Sequence, residues 1–175
     1  LQSLGAKTTL VSGPTTLAEP NVEQVIKVNS ADQMLEACES SLPADIAVCA
    51  AAVADYKIAN KEIAKIKKDG SRQNIILEEN PDILERLSKR NHLRPKLVVG
   101  FAAETSNLER NSDEKLNKKG CDWVLGNNVS ENSIFNQDTN KIYFTSKLYS
   151  ENWELMTKKE VAKKLCQKIS LHLNN

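Results

Sequence analysis

The chain is predicted to be an α/β domain of Rossmann-like kind: a three-layer sandwich with a mainly parallel sheet and a C-terminal hairpin. Three observations predict it. Short β-rich runs alternate with segments that carry helix start and stop signals. Ile46–Ala51 and the stretch after Lys96 are continuous apolar runs, the kind found in strands covered on both faces. Near the C-terminal end two strand candidates adjoin with no helix between them and read as a hairpin.

The elements follow in order. Leu1–Leu4 reads as the tail of a helix stopped by Gly5. Thr8–Val11 is a strand ended by Ser12-Gly13-Pro14, and Val22–Val28 is the next. A helix tail followed by a strand is the middle of a β-α-β unit. The expectation is therefore a single domain over 1–175 whose first strand and phosphate-facing turn lie upstream of Leu1. Ser30 and Gln33 have capping-box spacing and start a helix. Ile46–Ala51 is a buried strand, and the Lys-rich stretch 57–72 reads as a mobile loop. Asn74–Leu77 is a short strand. In Asn80-Pro81-Asp82, Asn reads as N-cap, Pro as first helical residue and Asp as first-turn acid.

Lys96–Phe101 is the next strand. Leu108–Lys119 is a charged helix with Gly120 as its stop, and Trp123–Leu125 is a strand leading into Gly126-Asn127-Asn128. Lys141–Ser146 and Trp153–Met156 flank a Ser-Glu-Asn turn as a hairpin. Thr157 and Glu160 form a second capping box, opening a helix to about Leu173.

Composition narrows the function classes. Lys plus Arg is 24 against 23 Asp plus Glu, a net charge of +1, so bulk charge gives no support for nucleic-acid or membrane-surface binding. No apolar run approaches the roughly 18 residues of a membrane span. Cys38, Cys49, Cys121 and Cys166 are scattered without a Cys-x-x-Cys pair, and His92 and His172 read as surface residues. A zinc site is not expected, and the cysteines suit a reducing compartment, so the expected location is the cytoplasm. No Walker loop, Gly-x-Gly-x-x-Gly fingerprint or serine elbow is present.

In open parallel sheets ligands lie beyond the carboxyl ends of strands, and three segments fall there. In Cys49-Ala50-Ala51-Ala52-Val53-Ala54-Asp55-Tyr56 the small residues allow close approach to backbone amides. Asp55 suits a ribose hydroxyl or a nucleotide-bound cation; a turn with a capping Asp is the plainer reading. Lys65-Ile66-Lys67-Lys68 suits closure over a triphosphate, or is a solvated basic loop. Val99–Thr105 precedes a helix on which Lys115 and Lys119 share a face. Like charges at that spacing repel unless an anion sits between them. Phe101 is placed to stack on a base, or is a core residue. Pro81, Asp82, Ile83 and Leu84 form a helix start that serves equally as cap and as nucleotide contact.

Taken in order, residues 9–14 (TLVSGP), 51–56 (AAVADY), 65–68 (KIKK), 80–83 (NPDI) and 99–105 (VGFAAET) resemble the bacterial phosphopantothenate–cysteine ligases, the ligase half of the bifunctional CoaBC proteins. The likeness continues through Asn127-Asn128-Val129-Ser130 to the terminal hairpin and helix. The resemblance implies condensation of 4′-phosphopantothenate with L-cysteine. The substrate carboxylate attacks the α-phosphate of CTP, and pyrophosphate leaves. The cysteine amine then displaces CMP from the acyl-cytidylate. It implies CTP as co-substrate and Mg²⁺ as its cation, with Asp55 the one candidate to touch that cation through the nucleotide and no metal held by protein side chains. Cys49, Ala50, Ala51, Asp55, Lys65, Pro81, Asp82, Ile83, Leu84, Phe101, Lys115 and Lys119 would bind the nucleotide, with Lys65 catalytic in cytidylyl transfer. An Asn-x-Ser-Ser-Gly-Lys stretch of the family has no match here and would precede Leu1. The resemblance further implies a homodimer, with the Lys141–Met156 hairpin as candidate interface, and a fused or associated flavin-dependent decarboxylase. A non-catalytic nucleotide-binding regulator and a dinucleotide-dependent reductase are the competing readings.

Overall fold

A computed structural model describes residues 1–60, 74–129 and 139–174. A 3-10 turn at Gln2–Leu4 leads into β1 (Thr9–Ser12), β2 (Gln24–Lys27), α1 (Ala31–Ser40) and β3 (Ile46–Cys49). Next come β4 (Tyr56–Ile58), β5 (Leu77–Glu79), α2 (Ile83–Ser88), β6 (Leu97–Glu104), α3 (Leu108–Lys119) and β7 (Trp123–Asn128). The hairpin β8 (Thr139–Ser146) and β9 (Ser150–Thr157) precedes α4 (Lys158–Leu173).

The central sheet has the order β3-β6-β7-β8-β9. Its first three strands are parallel, and the hairpin closes the other side antiparallel. The mixed α/β architecture is thus the expected one. Period-two alternation sends Leu97, Val99, Trp123, Leu125, Ile142, Phe144 and Trp153 to one face, where Val161, Leu165 and Ile169 of α4 cover them. Val98, Ala102 and Val124 face Leu116 of α3 and Leu84 of α2 on the other. Two glycines let the helices approach. A Cβ on Gly100 would stand 2.6 Å from Leu84 Cδ2, and one on Gly126 would run into Ser112 Oγ and Leu108.

β1 and β2 pair in parallel as a separate two-stranded sheet. Their Val11 and Ile26 nevertheless join Ala47 and Cys49 of β3 in a third core with Met34, Ile83 and Leu87. Side chains bridge the two sheets, but among the described residues no strand pairs with the free edge of β1 or of β3.

Several boundaries move from their sequence positions. The opening helix tail is a 3-10 turn, still ended by Gly5 in the left-handed region (φ 90°). Ser30 caps α1, but Gln33 Oε1 accepts from Asn29 N–H rather than closing the box on Ser30. Residues 57 and 58 are strand, not loop, because Tyr56–Ile58 pairs with Leu77–Glu79. That pairing also shifts the strand read at Asn74–Leu77. Asp82, not Asn80, caps α2: its Oδ1 accepts Glu85 N–H at 2.8 Å. β7 runs on through Gly126-Asn127-Asn128 because β6 pairs with all three and β8 with Gly126 and Asn127. Ser150-Glu151-Asn152 is strand, and the hairpin turn is Lys147-Leu148-Tyr149. Leu108–Lys119, its Gly120 stop (φ 70°) and the Thr157–Glu160 capping box stand as read.

Candidate functional site

β3 ends at Cys49 opposite Gly100, whereas β6 continues four residues to Glu104. Leu97 N–H donates to Asp45 on the β3 side, so by alternation the Phe101 carbonyl points to that side just beyond the last β3 partner. Lys115 Nζ fills the gap, donating to Phe101 O at 2.7 Å. Past Cys49 the chain turns out through the exposed Ala50, Ala51 and Ala52 to Asp55.

Asn80 ties this turn to α2. Its N–H donates to Asp55 O at 2.8 Å and its Nδ2 to Ala54 O at 2.9 Å. Two residues on, Asp82 Oδ2 lies 2.5 Å from Lys119 Nζ, and Glu85 stands 3.7 Å from the same ammonium. Burial pushes the Asp82 carboxyl up, but the Lys119 hydrogen bond, the Glu85 N–H and the charges of Lys119 and Lys115 outweigh it and hold the group below the usual carboxylate range. Lys119 is therefore matched by carboxylates of the protein itself, while Lys115 is held by a backbone carbonyl. Lys119 is raised in turn, chiefly by Asp82, and its side chain is only 18% exposed.

Burial, with Cys38, Cys121 and Asp82 nearby, pushes the Cys49 thiol up to about 12, against the opposing pull of Lys115. Burial thus favours the neutral thiol of Cys49 beside the site. The fold accordingly gathers Cys49, Pro81, Asp82, Lys115 and Lys119 with the Phe101 backbone into one corner at the carboxyl edge of β3. Ile83 and Leu84 are buried beneath it, Leu84 against Gly100. The Phe101 ring is partly buried and packs against the α4-side core, while its backbone carbonyl faces this corner. Asp55 is exposed on the outer turn. Lys65 lies outside the described residues.

Sequence reasoning missed Asn80 as a tether and Glu85 as second partner of Lys119. Asn80 looks like an ordinary N-cap, and only the fold brings Ala54 within its reach. It also missed a cleft of about 500 Å³ lined by Arg110, Asn128, Lys141, Tyr143 and Asn152 beside the first turn of α3. Its lining comes from four separate elements, so no local motif marks it. Among the described residues no three His, Cys, Asp or Glu side chains converge to hold a metal ion. No helix among them is long and apolar enough to cross a membrane.

The fold and this corner define a Rossmann-like α/β domain with a polar site at the carboxyl edge of its parallel strands. The chain belongs to the DNA/pantothenate metabolism flavoprotein C-terminal domain family, whose profile matches residues 1–172. It is 37% identical over 166 residues to the coenzyme A biosynthesis bifunctional protein CoaBC of Haemophilus influenzae, covering 94% of this chain and 41% of that protein. It is 38% identical over 165 residues to CoaBC of Borreliella burgdorferi, with 93% and 41% covered. The chain thus spans about two fifths of the length of these curated relatives. The crystal structure of the C-terminal domain of a CoaBC superposes with a TM-score of 0.78 at 32% identity, covering 99% of this chain and 78% of that one.

Proposed function

We propose that this chain is a phosphopantothenate–cysteine ligase domain, which activates the carboxylate of 4′-phosphopantothenate with CTP and transfers the acyl group to L-cysteine. The observation that carries the reading is the corner joining Cys49, Asp82, Lys115 and Lys119. It brings together residues from three segments, Cys49 at the end of β3, Asp82 at the start of α2, and Lys115 and Lys119 on α3, at the strand end where α/β folds bind ligands. Ala50, Ala51 and Asp55 extend the surface, and Lys65 is the residue assigned to neutralise charge at the α-phosphate.

The chemistry follows. The pantothenate carboxylate oxygen bonds to the α-phosphorus, and the bond to pyrophosphate breaks. The cysteine amine attacks the acyl carbon, loses a proton, and CMP departs with its oxygen. The protein's contribution is orientation and charge compensation. A magnesium ion would enter on the triphosphate, with Asp55 as the candidate to touch it through the nucleotide.

The open edges of β1 and β3 suit a further parallel strand between them, which in this reading carries the asparagine-containing loop of the family. The hairpin β8–β9 is the proposed dimer interface. Leu148 and Leu155 are largely exposed on it, and β9 is the outer strand of the sheet. A decarboxylase partner, fused or associated, and a cytoplasmic location complete the proposal.

Pyrophosphate release is the test. Protein carrying the family's asparagine-containing loop together with residues 1–175, mixed with 4′-phosphopantothenate, L-cysteine and magnesium, should release pyrophosphate with CTP and form phosphopantothenoylcysteine. Binding of NADPH without CTP-dependent turnover would instead favour a reductase, and CTP binding without turnover a regulator.

A further inference from the structure

β5 brings Asn80 back to the turn that leaves β3. Tyr56 pairs with Glu79 at the end of the β4–β5 ladder, so Asp55 and Asn80 stand as the next pair. The Asn80 N–H donates to Asp55 O at 2.8 Å and extends that ladder by one bond. Its side chain adds a bond no backbone group supplies: Nδ2 donates to Ala54 O at 2.9 Å, so one residue takes two consecutive carbonyls. Helix capping does not account for this amide, because Asp82 caps α2. Nor does the ribbon depend on it, since Lys57 ties β4 to Asp32 of α1 at 2.6 Å. Pro81 restricts Asn80 to an extended backbone, which suits the residue to a strand end.

Little else holds the turn. Ala50, Ala51, Ala52, Ala54 and Asp55 are exposed, and within 50–55 only Val53 packs against the core. Among the described residues no other side chain hydrogen-bonds to this turn, and the Asp55 carboxylate has no partner of its own. The direction in which that carboxylate points is therefore set by the backbone that carries it.

Resting on the ligase reading above, we propose that Asn80 is a positioning residue for the reaction, which touches no reacting group and acts by fixing the direction of Asp55. A turn that spends only a fraction of its time in the binding geometry raises the apparent dissociation constant by the inverse of that fraction. The complex, once formed, is unchanged. Loss of the Nδ2 bond should thus raise the KM for CTP and spare kcat, the pattern of lost uniform binding. A purely structural bond would lower the melting temperature and leave both kinetic constants alone.

The experiment is a double-mutant cycle on protein carrying the family's asparagine-containing loop together with residues 1–175, followed by CTP-dependent pyrophosphate release. Asn80→Ala removes the donor, and Asn80→Asp sets a carboxylate against the Ala54 carbonyl, so either variant serves if the other fails to fold. Each should raise the KM for CTP about fivefold or more, the size of one lost hydrogen bond, with kcat within about twofold. In an Asp55→Ala background the same changes should add less than about twofold, because the group they direct is gone. An unchanged KM for CTP in the Asn80 variants, or an equal rise with and without Asp55, overturns the positioning role while turnover by the wild type keeps the ligase reading. Absence of CTP-dependent pyrophosphate release from the wild type overturns the ligase reading and this inference with it.

Discussion

Asp82 stands with one carboxylate oxygen on the Glu85 amide and the other 2.5 Å from Lys119, so a single side chain starts α2 and fastens α3 to it. The two duties separate by substitution. Asp82→Ala should lose about 0.5–2 kcal/mol, the usual cost of an N-cap. Asp82→Asn keeps the cap and should lose less. Thermal unfolding of the two variants ranks the contributions, and equal losses would mean that the ion pair, not the cap, carries the stability.

Carboxylates set the acid limit. Besides Asp82, Glu151 lies below the ordinary range: burial raises it, and Lys168 and the Trp153 indole N–H outweigh that. A depressed folded value means that the group stabilises above its unfolded pKa, about 4, and that this stability is lost as pH falls through the folded value. Lys119 and Lys168 are raised, so their share is present below about 10.4 and lost above it. Melting temperature should therefore be nearly flat from about pH 5 to 9 and fall below about pH 4. In Glu151→Gln the acid-side fall should be shallower.

Ser112 is fully buried, and its Oγ has no hydrogen-bond partner among the described residues. An orphaned buried hydroxyl costs on the order of 1–3 kcal/mol. Ser112→Ala should thus be neutral or stabilising by about 1 kcal/mol in denaturant unfolding. Gly126→Ala should lose roughly 1–3 kcal/mol, because its new methyl meets Ser112 and Leu108.

Arg94 is the clamp behind the sheet. Its guanidinium donates to Ser88 O and Pro95 O and to both Asp122 oxygens at 2.9 Å, and Asp122 accepts Val98 N–H at 2.7 Å. Lysine lacks the planar fork, so Arg94→Lys should cost about 1.5–3 kcal/mol. Asp122→Ala should cost at least as much, since it also strands the Val98 amide. A loss below about 0.5 kcal/mol for either would show that water replaces the network.

Local chemistry explains what was legible in the sequence. Gly120, Thr157 with Glu160, and the apolar run from Leu97 fixed their elements through short-range rules that no distant contact overrides. The boundaries that moved were those decided by pairing: Gly126–Asn128 has loop composition but is paired along β6, its first two residues also along β8, and Asn74–Leu77 shifts to match Tyr56–Ile58. The site was legible as residue types and not as geometry. Four-residue spacing put Lys115 and Lys119 on one face, but that Lys119 pairs with Asp82 while Lys115 turns to the Phe101 carbonyl depends on how α2 packs. Phe101 was ambiguous because the sheet face taken by one residue depends on a register the sequence does not print.

The division of backbone pairing between two sheets has a dynamic consequence. β1 and β2 are linked to the rest through side chains of a shared core, whereas β6 is hydrogen-bonded on both flanks. Among the described residues no backbone ladder joins the β1–β2–α1 lobe to the five-stranded sheet, so its opening needs less free energy than global unfolding. Amide protons of Leu10 and Val25 should accordingly exchange with deuterium well before those of Val99 and Val124, making this lobe the part of the molecule that breathes first.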